Sequence, residues 1–217
     1  MPKRKEVIVT KEIYHVFNKS IDNKNIFLTK YFIASALKRI RYYKFNNVIK
    51  YSDFIEYKKD INNSEKANAK LVDIFAYALM PNHYHFVLKE LENNGIRRFI
   101  SRFQMSFAWL YNKRVKRSGS VFQGRFKAKL IKNDQVLLHI VRYIHLNPVT
   151  AYMLDFENLK KSNTTSFQEY LSEAKGKLIN KNVILKEFKN LNTFQSFHED
   201  QIDYQRKLSS IKKILLD

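Results

Sequence analysis

Apolar and polar residues alternate over residues 12–20, "EIYHVFNKS", which is the period of a half-buried β-strand. The period then changes. Through "LTKYFIASALKRIRYYKF", residues 28–45, apolar positions recur near helical spacing, with Thr29 placed to cap the first turn. Residues 57–70, "YKKDINNSEKANAK", are polar enough for a loop or a frayed helix. "LVDIFAYALM" and "HYHFVLKE" follow as two strand-like runs split by Pro81 and Asn82, which predicts an antiparallel hairpin. Residues 93–119 read as an amphipathic helix. Ile96, Phe99, Ile100, Phe103, Phe107 and Leu110 form its apolar stripe, and Gly119 is the expected stop. "FQGRFKAKLI" is a further strand. "NDQVLLHIVRYIHLNP" is a helix capped by Asn133 or Asp134 and closed by Pro148.

That order, β-α-β-β-α-β-α, predicts an α+β fold. It is a ferredoxin-like split βαβ antiparallel sheet with helices on one face. Residues 1–150 form the expected main domain, and 151–217 a helical C-terminal extension with a linker near "KGKLINKN". A chain of 217 residues can bury a sizeable core without cross-links. It contains no cysteine, so disulfides and thiolate metal sites are excluded.

Charge changes the picture more than length does. Forty Lys and Arg oppose twenty Asp and Glu, a net +20. A surplus of that size selects a polyanionic partner, nucleic acid first and an anionic membrane surface second. Thirteen Tyr and seventeen Phe lie among the cations, a mixture suited to stacking on unpaired bases, although core packing is the better account of any single ring. The basic "MPKRKEVIVT" start has no apolar run of signal-peptide length, and no stretch approaches a membrane span. A soluble, cytoplasmic protein is expected.

The candidate chemistry starts at His83 and His85. Residues i and i+2 of a strand share a face, so the two imidazoles point together and Tyr84 points away. Two neutral imidazoles one strand repeat apart can grip a divalent cation. The pattern is short, and two half-buried polar residues would also produce it. In "RYIHLNP", Tyr143 and Asn147 share a helical face, which could aim a phenol at a metal-held phosphate beside an amide ligand. Taken alone, Tyr143 also fits a core aromatic with its hydroxyl at the surface. His139 lies on the Tyr143 face and reads as a packing histidine; His145 points elsewhere, and the role of His15 is open.

Three blocks, "MPNHYHFVL", "SGSVFQGRFKAKLI" and "LLHIVRYIHLNPV", with a weaker "TTSFQEYL" near 165–172, resemble the REP-associated tyrosine transposases. These belong to the single-tyrosine branch of the HUH endonucleases, with the transposases of small insertion sequences. The likeness spans about residues 10–170 and departs at Tyr84, where the family usually has an aliphatic residue. It implies metal-dependent cleavage and strand transfer of single-stranded, hairpin-forming DNA. His83, His85 and Asn147 would hold Mg²⁺ or Mn²⁺, and Tyr143 would form a 5′-phosphotyrosine. Arg97, Arg98, Arg102, Arg125 and Lys127 are the expected DNA contacts. The protein would act as a monomer or homodimer. A binder of hairpin DNA or RNA that keeps the fold without the chemistry is the alternative.

Overall fold

The computed structural model describes residues 7–47, 49–57, 60–172 and 178–207. The linker expected at 175–182 and the end of the C-terminal extension fall partly outside the described residues. Strands β1 (Ile13–Lys19), β2 (Val72–Met80), β3 (His83–Glu90) and β4 (Lys127–Leu130) form one sheet in the order β2-β3-β1-β4. Every pairing is antiparallel, and Pro81 and Asn82 make the β2–β3 turn as expected. β4 is shorter than the "FQGRFKAKLI" run suggested, so Arg125 precedes it.

Helices α1 (Lys30–Tyr43) and α4 (Gly95–Arg114) cover one face of the sheet. Thr29 caps α1, accepting from the Phe32 amide. Tyr84 and Phe86 of β3 point to this side and meet Phe103 of α4, with ring centroids 5.7 and 6.1 Å apart. Phe99, Phe103 and Phe107 are wholly buried; each contributes roughly 2–3 kcal/mol of apolar transfer. Gly95 starts α4 hard against β2, since a Cβ there would collide with the Leu71 carbonyl oxygen. The polar region after α1 contributes two short helices, α2 (Tyr51–Glu56) and α3 (Ile61–Ala67).

Two helix ends differ from expectation. α4 stops at Arg114, not Gly119. Lys116 adopts a left-handed φ of 51° and the Arg117 amide donates back to the Asn112 carbonyl, a Schellman closure without glycine. α5 (Asp134–Thr150), capped by Asn133, runs through Pro148 instead of closing there. Leu146, Asn147, Val149 and Thr150 are all buried, so packing outweighs the proline penalty, and the chain turns off where the Met153 amide donates to the Pro148 carbonyl.

α5 crosses the other face of the sheet, over the small Ala76 and Ala78 of β2. The helices therefore cover both faces: α1 and α4 seal one, and α5 shares the other with the two histidines of β3.

The extension folds onto this body through short helices: α6 (Phe156–Leu159), α7 (Phe167–Leu171), α8 (Asn182–Leu185) and α9 (Leu191–Glu199). Amides of Leu79, Ser166 and Asn180 bond with carbonyls of Thr164, Tyr77 and Ile74, which covers the outer edge of β2. A buried chain ties α9 to α5. His198 Nδ1 donates to the Phe194 carbonyl at 2.8 Å, so His198 Nε2 accepts from His145 Nδ1 at 3.0 Å. His145 Nε2 then accepts from the Ser166 hydroxyl at 2.8 Å. Each tautomer is dictated by the one before it.

Burial holds both imidazoles neutral: it lowers His145 well below the ordinary value and His198 to about 3, with Arg142 adding to the latter. An unfolded histidine takes up its proton near 6.5, so acid favours the unfolded chain. The contribution is full above about pH 6.5 and falls as pH drops towards 3, by about 1.4 kcal/mol per pH unit per histidine. Urea melts at pH 7.5, 6 and 5 are expected to show this loss, and the His198→Phe variant a shallower one. Equal pH slopes for the two proteins would contradict it.

Candidate active site

β3 brings His83 and His85 to the α5 side with ring centroids 5.0 Å apart. Tyr143, two turns into α5, sets its ring edge-on to His85 at 5.9 Å. Asn147, one turn further on, lies beside the phenol and is buried. The four residues singled out in two distant motifs thus meet on one face. Tyr84 is fully buried on the opposite side, where its hydroxyl accepts from Gln104 at 2.9 Å.

His15 of β1 completes the cluster. Its Nε2 lies 2.9 Å from His85 Nδ1, and the rings stack at 5.1 Å. Asn82 does the same for the other imidazole, with Oδ1 2.7 Å from His83 Nδ1. Because a carboxamide oxygen only accepts, His83 Nδ1 carries the proton and Nε2 keeps its lone pair. A His85 Nδ1–H donated to His15 would likewise leave His85 Nε2 free to bind. The motif names neither partner: Asn82 adjoins it, but His15 is found only through the β1–β3 register.

Burial lowers the basicity of all three rings. His15 falls to about 4, helped by Lys129; His83 is lowered with help from Lys19; His85 falls well below the ordinary value, with His15 and His83 adding to the effect. Neutral imidazoles with open lone pairs are what a cation site requires. Tyr143 shifts the opposite way. Burial raises its pKa although two-fifths of its surface stays open, and the Asn147 amide opposes the rise. Asn147 Nδ2 nevertheless reaches no partner of hydrogen-bonding geometry among the described residues.

These observations fit a divalent cation. Among the described residues no three His, Cys, Asp or Glu side chains form a metal-binding group, so a third protein ligand would come from an amide. Asn147 is buried beside the Tyr143 phenol, and its amide oxygen would be the candidate for that ligand. Two imidazoles and an amide leave the remaining positions to phosphate and water oxygens, as suits Mg²⁺ or Mn²⁺.

The expected DNA contacts divide. Arg125 and Lys127 line a cavity of about 560 Å³ that also includes His83 and His85. Arg97, Arg98 and Arg102 sit on α4, across the sheet from the histidines. Arg97 is exposed and shares a depression with Arg125. Arg98 pairs with Glu92 at 2.6 Å, and Arg102 donates to Asn46 and to the Asn47 carbonyl. Phe122 is core, packed with Phe27, Tyr84, Phe103 and Phe107. His139 bonds Arg142 at 2.7 Å but is exposed, so it is a partnered surface residue and not the packing histidine expected.

A sequence model of the IS200-like transposases matches residues 5–147, from before β1 to Asn147. The chain belongs to that family. Among solved structures, it is similar to a REP-associated tyrosine transposase bound to a REP hairpin. The TM-score is 0.50 at 14% identity, over 80% of this chain and 87% of the other, which establishes a shared fold. No curated protein gives a sequence match. In the terms of the family, the matched region is the sheet with its flanking helices, and residues 164–172 and 178–199 are packed on that body. Among the described residues no helix is long and apolar enough to cross a membrane.

Proposed function

We propose that this IS200-like transposase is a divalent-metal-dependent nickase and strand transferase for single-stranded, hairpin-forming DNA, with Tyr143 as its nucleophile. The observation that carries the reading is the placement of the Tyr143 ring 5.9 Å from His85, on the face that His85 shares with His83. The net charge of +20 and the REP hairpin held by a protein of the same fold support a DNA substrate.

The chemistry balances without a co-reactant. The Tyr143 phenol oxygen attacks the scissile phosphorus and the P–O3′ bond breaks. The phenol proton is lost and the departing 3′ oxygen gains one. The products are a 5′ phosphate esterified to Tyr143 and a strand ending in a free 3′-hydroxyl. Phosphodiester energy is retained, so another 3′-hydroxyl can reverse the step and join strands. Because burial raises the phenol pKa, its ionisation needs help near neutral pH. His83, His85 and Asn147 would hold the cation, which when bound withdraws charge from a phosphate oxygen.

The test is to incubate the protein with labelled hairpin DNAs bearing single-stranded flanks, with Mg²⁺ or Mn²⁺, and to look for metal-dependent nicking that EDTA stops. Salt-sensitive binding without nicking, on the DNA flanking the gene as well, would point to the non-catalytic hairpin binder instead.

His15 acts in this account by holding His85. His15→Ala is expected to weaken Mn²⁺ binding about tenfold by calorimetry while the fold is kept, with His15→Gln restoring part of the loss. Unchanged Mn²⁺ affinity in His15→Ala would remove it from that role.

A further inference from the structure

A second cavity, of about 490 Å³, is walled by residues of α1, α2 and α4, on the face of the sheet away from the histidines. Its volume falls within the usual range of ligand sites. The cleavage chemistry above does not use it. Arg39 of α1 forms part of the wall and is more than nine-tenths buried. A guanidinium so buried is ordinarily matched by a carboxylate. Arg39 has none among the described residues. Nε donates to the Ser106 hydroxyl at 3.1 Å and Nη1 to the Ser35 carbonyl at 3.0 Å, both neutral, and the guanidinium lies 4.8 Å from the Tyr51 ring centroid. Nη2 makes no hydrogen bond among the described residues and is not sealed from solvent. Burial presses the Arg39 pKa down, and only the phenols of Tyr51, Tyr43 and Tyr31 oppose the shift. The charge is held in place without its counter-ion.

Two more cations, Lys50 and Arg102, line the same space, and neither forms an ion pair among the described residues. One carboxylate lines it, that of Asp53, whose Oδ1 accepts from the neighbouring Ser52 hydroxyl. Apolar surface lies beside the charge. Met105 and Trp109, one turn apart on α4, are 64% and 54% exposed. Lys113 Nζ sits over the Trp109 ring at 5.0 Å, which extends the positive rim. We propose that this cavity docks an acidic peptide of a partner protein, with one carboxylate against Arg39 and the neighbouring apolar side chain against Met105 and Trp109. Three cations against one carboxylate supply the charge complementarity. Trp, Met and Arg are also the residues that anchor protein interfaces. A carboxylate on a flexible side chain can reach a recessed guanidinium, whereas the phosphates of a rigid duplex stay at the surface. The proposal is independent of the chemistry at Tyr143.

Trp109 is the chain's single tryptophan, so its fluorescence reports on this wall. The full chain is titrated with a panel of capped hexapeptides that place Asp or Glu beside Leu, Ile, Phe or Met, and with the matching Asn and Gln peptides. At least one acidic peptide is expected to shift the emission saturably, and its amide counterpart to bind about tenfold or more weaker. Arg39→Met should weaken the acidic peptide by a similar factor at an unchanged or higher melting temperature, because it removes a buried charge that has no counter-ion. Met105→Glu, at a surface position, should cause the same loss by repulsion, and it decides the matter alone if Arg39→Met does not fold. No saturable shift with any acidic peptide, equal binding of the amide peptide, or wild-type affinity in either folded variant overturns the proposal. Tighter binding of a thymidine hexanucleotide than of any acidic peptide, lost in the same variants, would assign the cavity to nucleic acid and overturns it as well.

Discussion

Replacing Tyr143 by Phe is expected to abolish DNA cleavage, a fall on the order of 10³-fold or more, while hairpin affinity changes less than about twofold. The substitution removes one oxygen from a ring whose edge-on packing against His85 remains available to phenylalanine. Two-fifths of the residue is exposed, and Asn147 is the side chain that partners the hydroxyl. No neighbouring hydroxyl can substitute. Tyr84, the nearest tyrosine in sequence to the histidines, is buried on the opposite face with its oxygen bonded by Gln104. Cleavage assays and gel shifts on the same labelled hairpin separate the two effects. Retained cleavage would mean that water or another group attacks the phosphate.

The second large effect belongs to the histidines. His85→Ala is expected to cost about 10²-fold or more in cleavage and to abolish Mn²⁺ binding measured by calorimetry. His85 is the better choice of the pair because it has more neighbours in the site: His15 at 2.9 Å, and the rings of Phe17, His83 and Tyr143. DNA affinity at low salt should persist, since phosphate contacts to the cationic surface do not depend on this ring. His83→Ala should behave alike but less severely, because it removes one ligand and leaves the His15–His85 pair intact. Full Mn²⁺ binding by His85→Ala would place the cation elsewhere.

Most of this site could be read from the chain because its geometry follows from two simple periodicities. A period of two puts His83 and His85 on one face and removes Tyr84; a period near 3.6 puts Asn147 one turn from Tyr143. The hairpin, the Thr29 cap and the Asn133 cap were legible for the same reason: each depends on neighbours in sequence. What was not legible depends on register between distant segments. His15 reaches His85 because β1 pairs with β3, and the cavity beside His83 draws Asn18, Asn23, Asn82 and Gln123 from three separate stretches. Neither has a motif. The His145–His198–Ser166 chain likewise joins residues 145, 166 and 198, and nothing local to any of them announces it. Helix ends failed where tertiary packing overrode local preference, at Lys116, which takes a glycine-like conformation, and at Pro148, which the buried last turn of α5 absorbs.

The central claim is tested most directly by end-labelling. Two samples of one hairpin DNA, labelled at the 5′ end or the 3′ end, are incubated with the protein and Mn²⁺ and run on a denaturing protein gel. A 5′-phosphotyrosine at residue 143 predicts that only the 3′ label migrates with the protein. The 5′ label should leave on a fragment with a free 3′-hydroxyl, and both signals should vanish with EDTA or Tyr143→Phe. Cleavage that leaves both labels on free DNA, with no adduct at any time point, would contradict it.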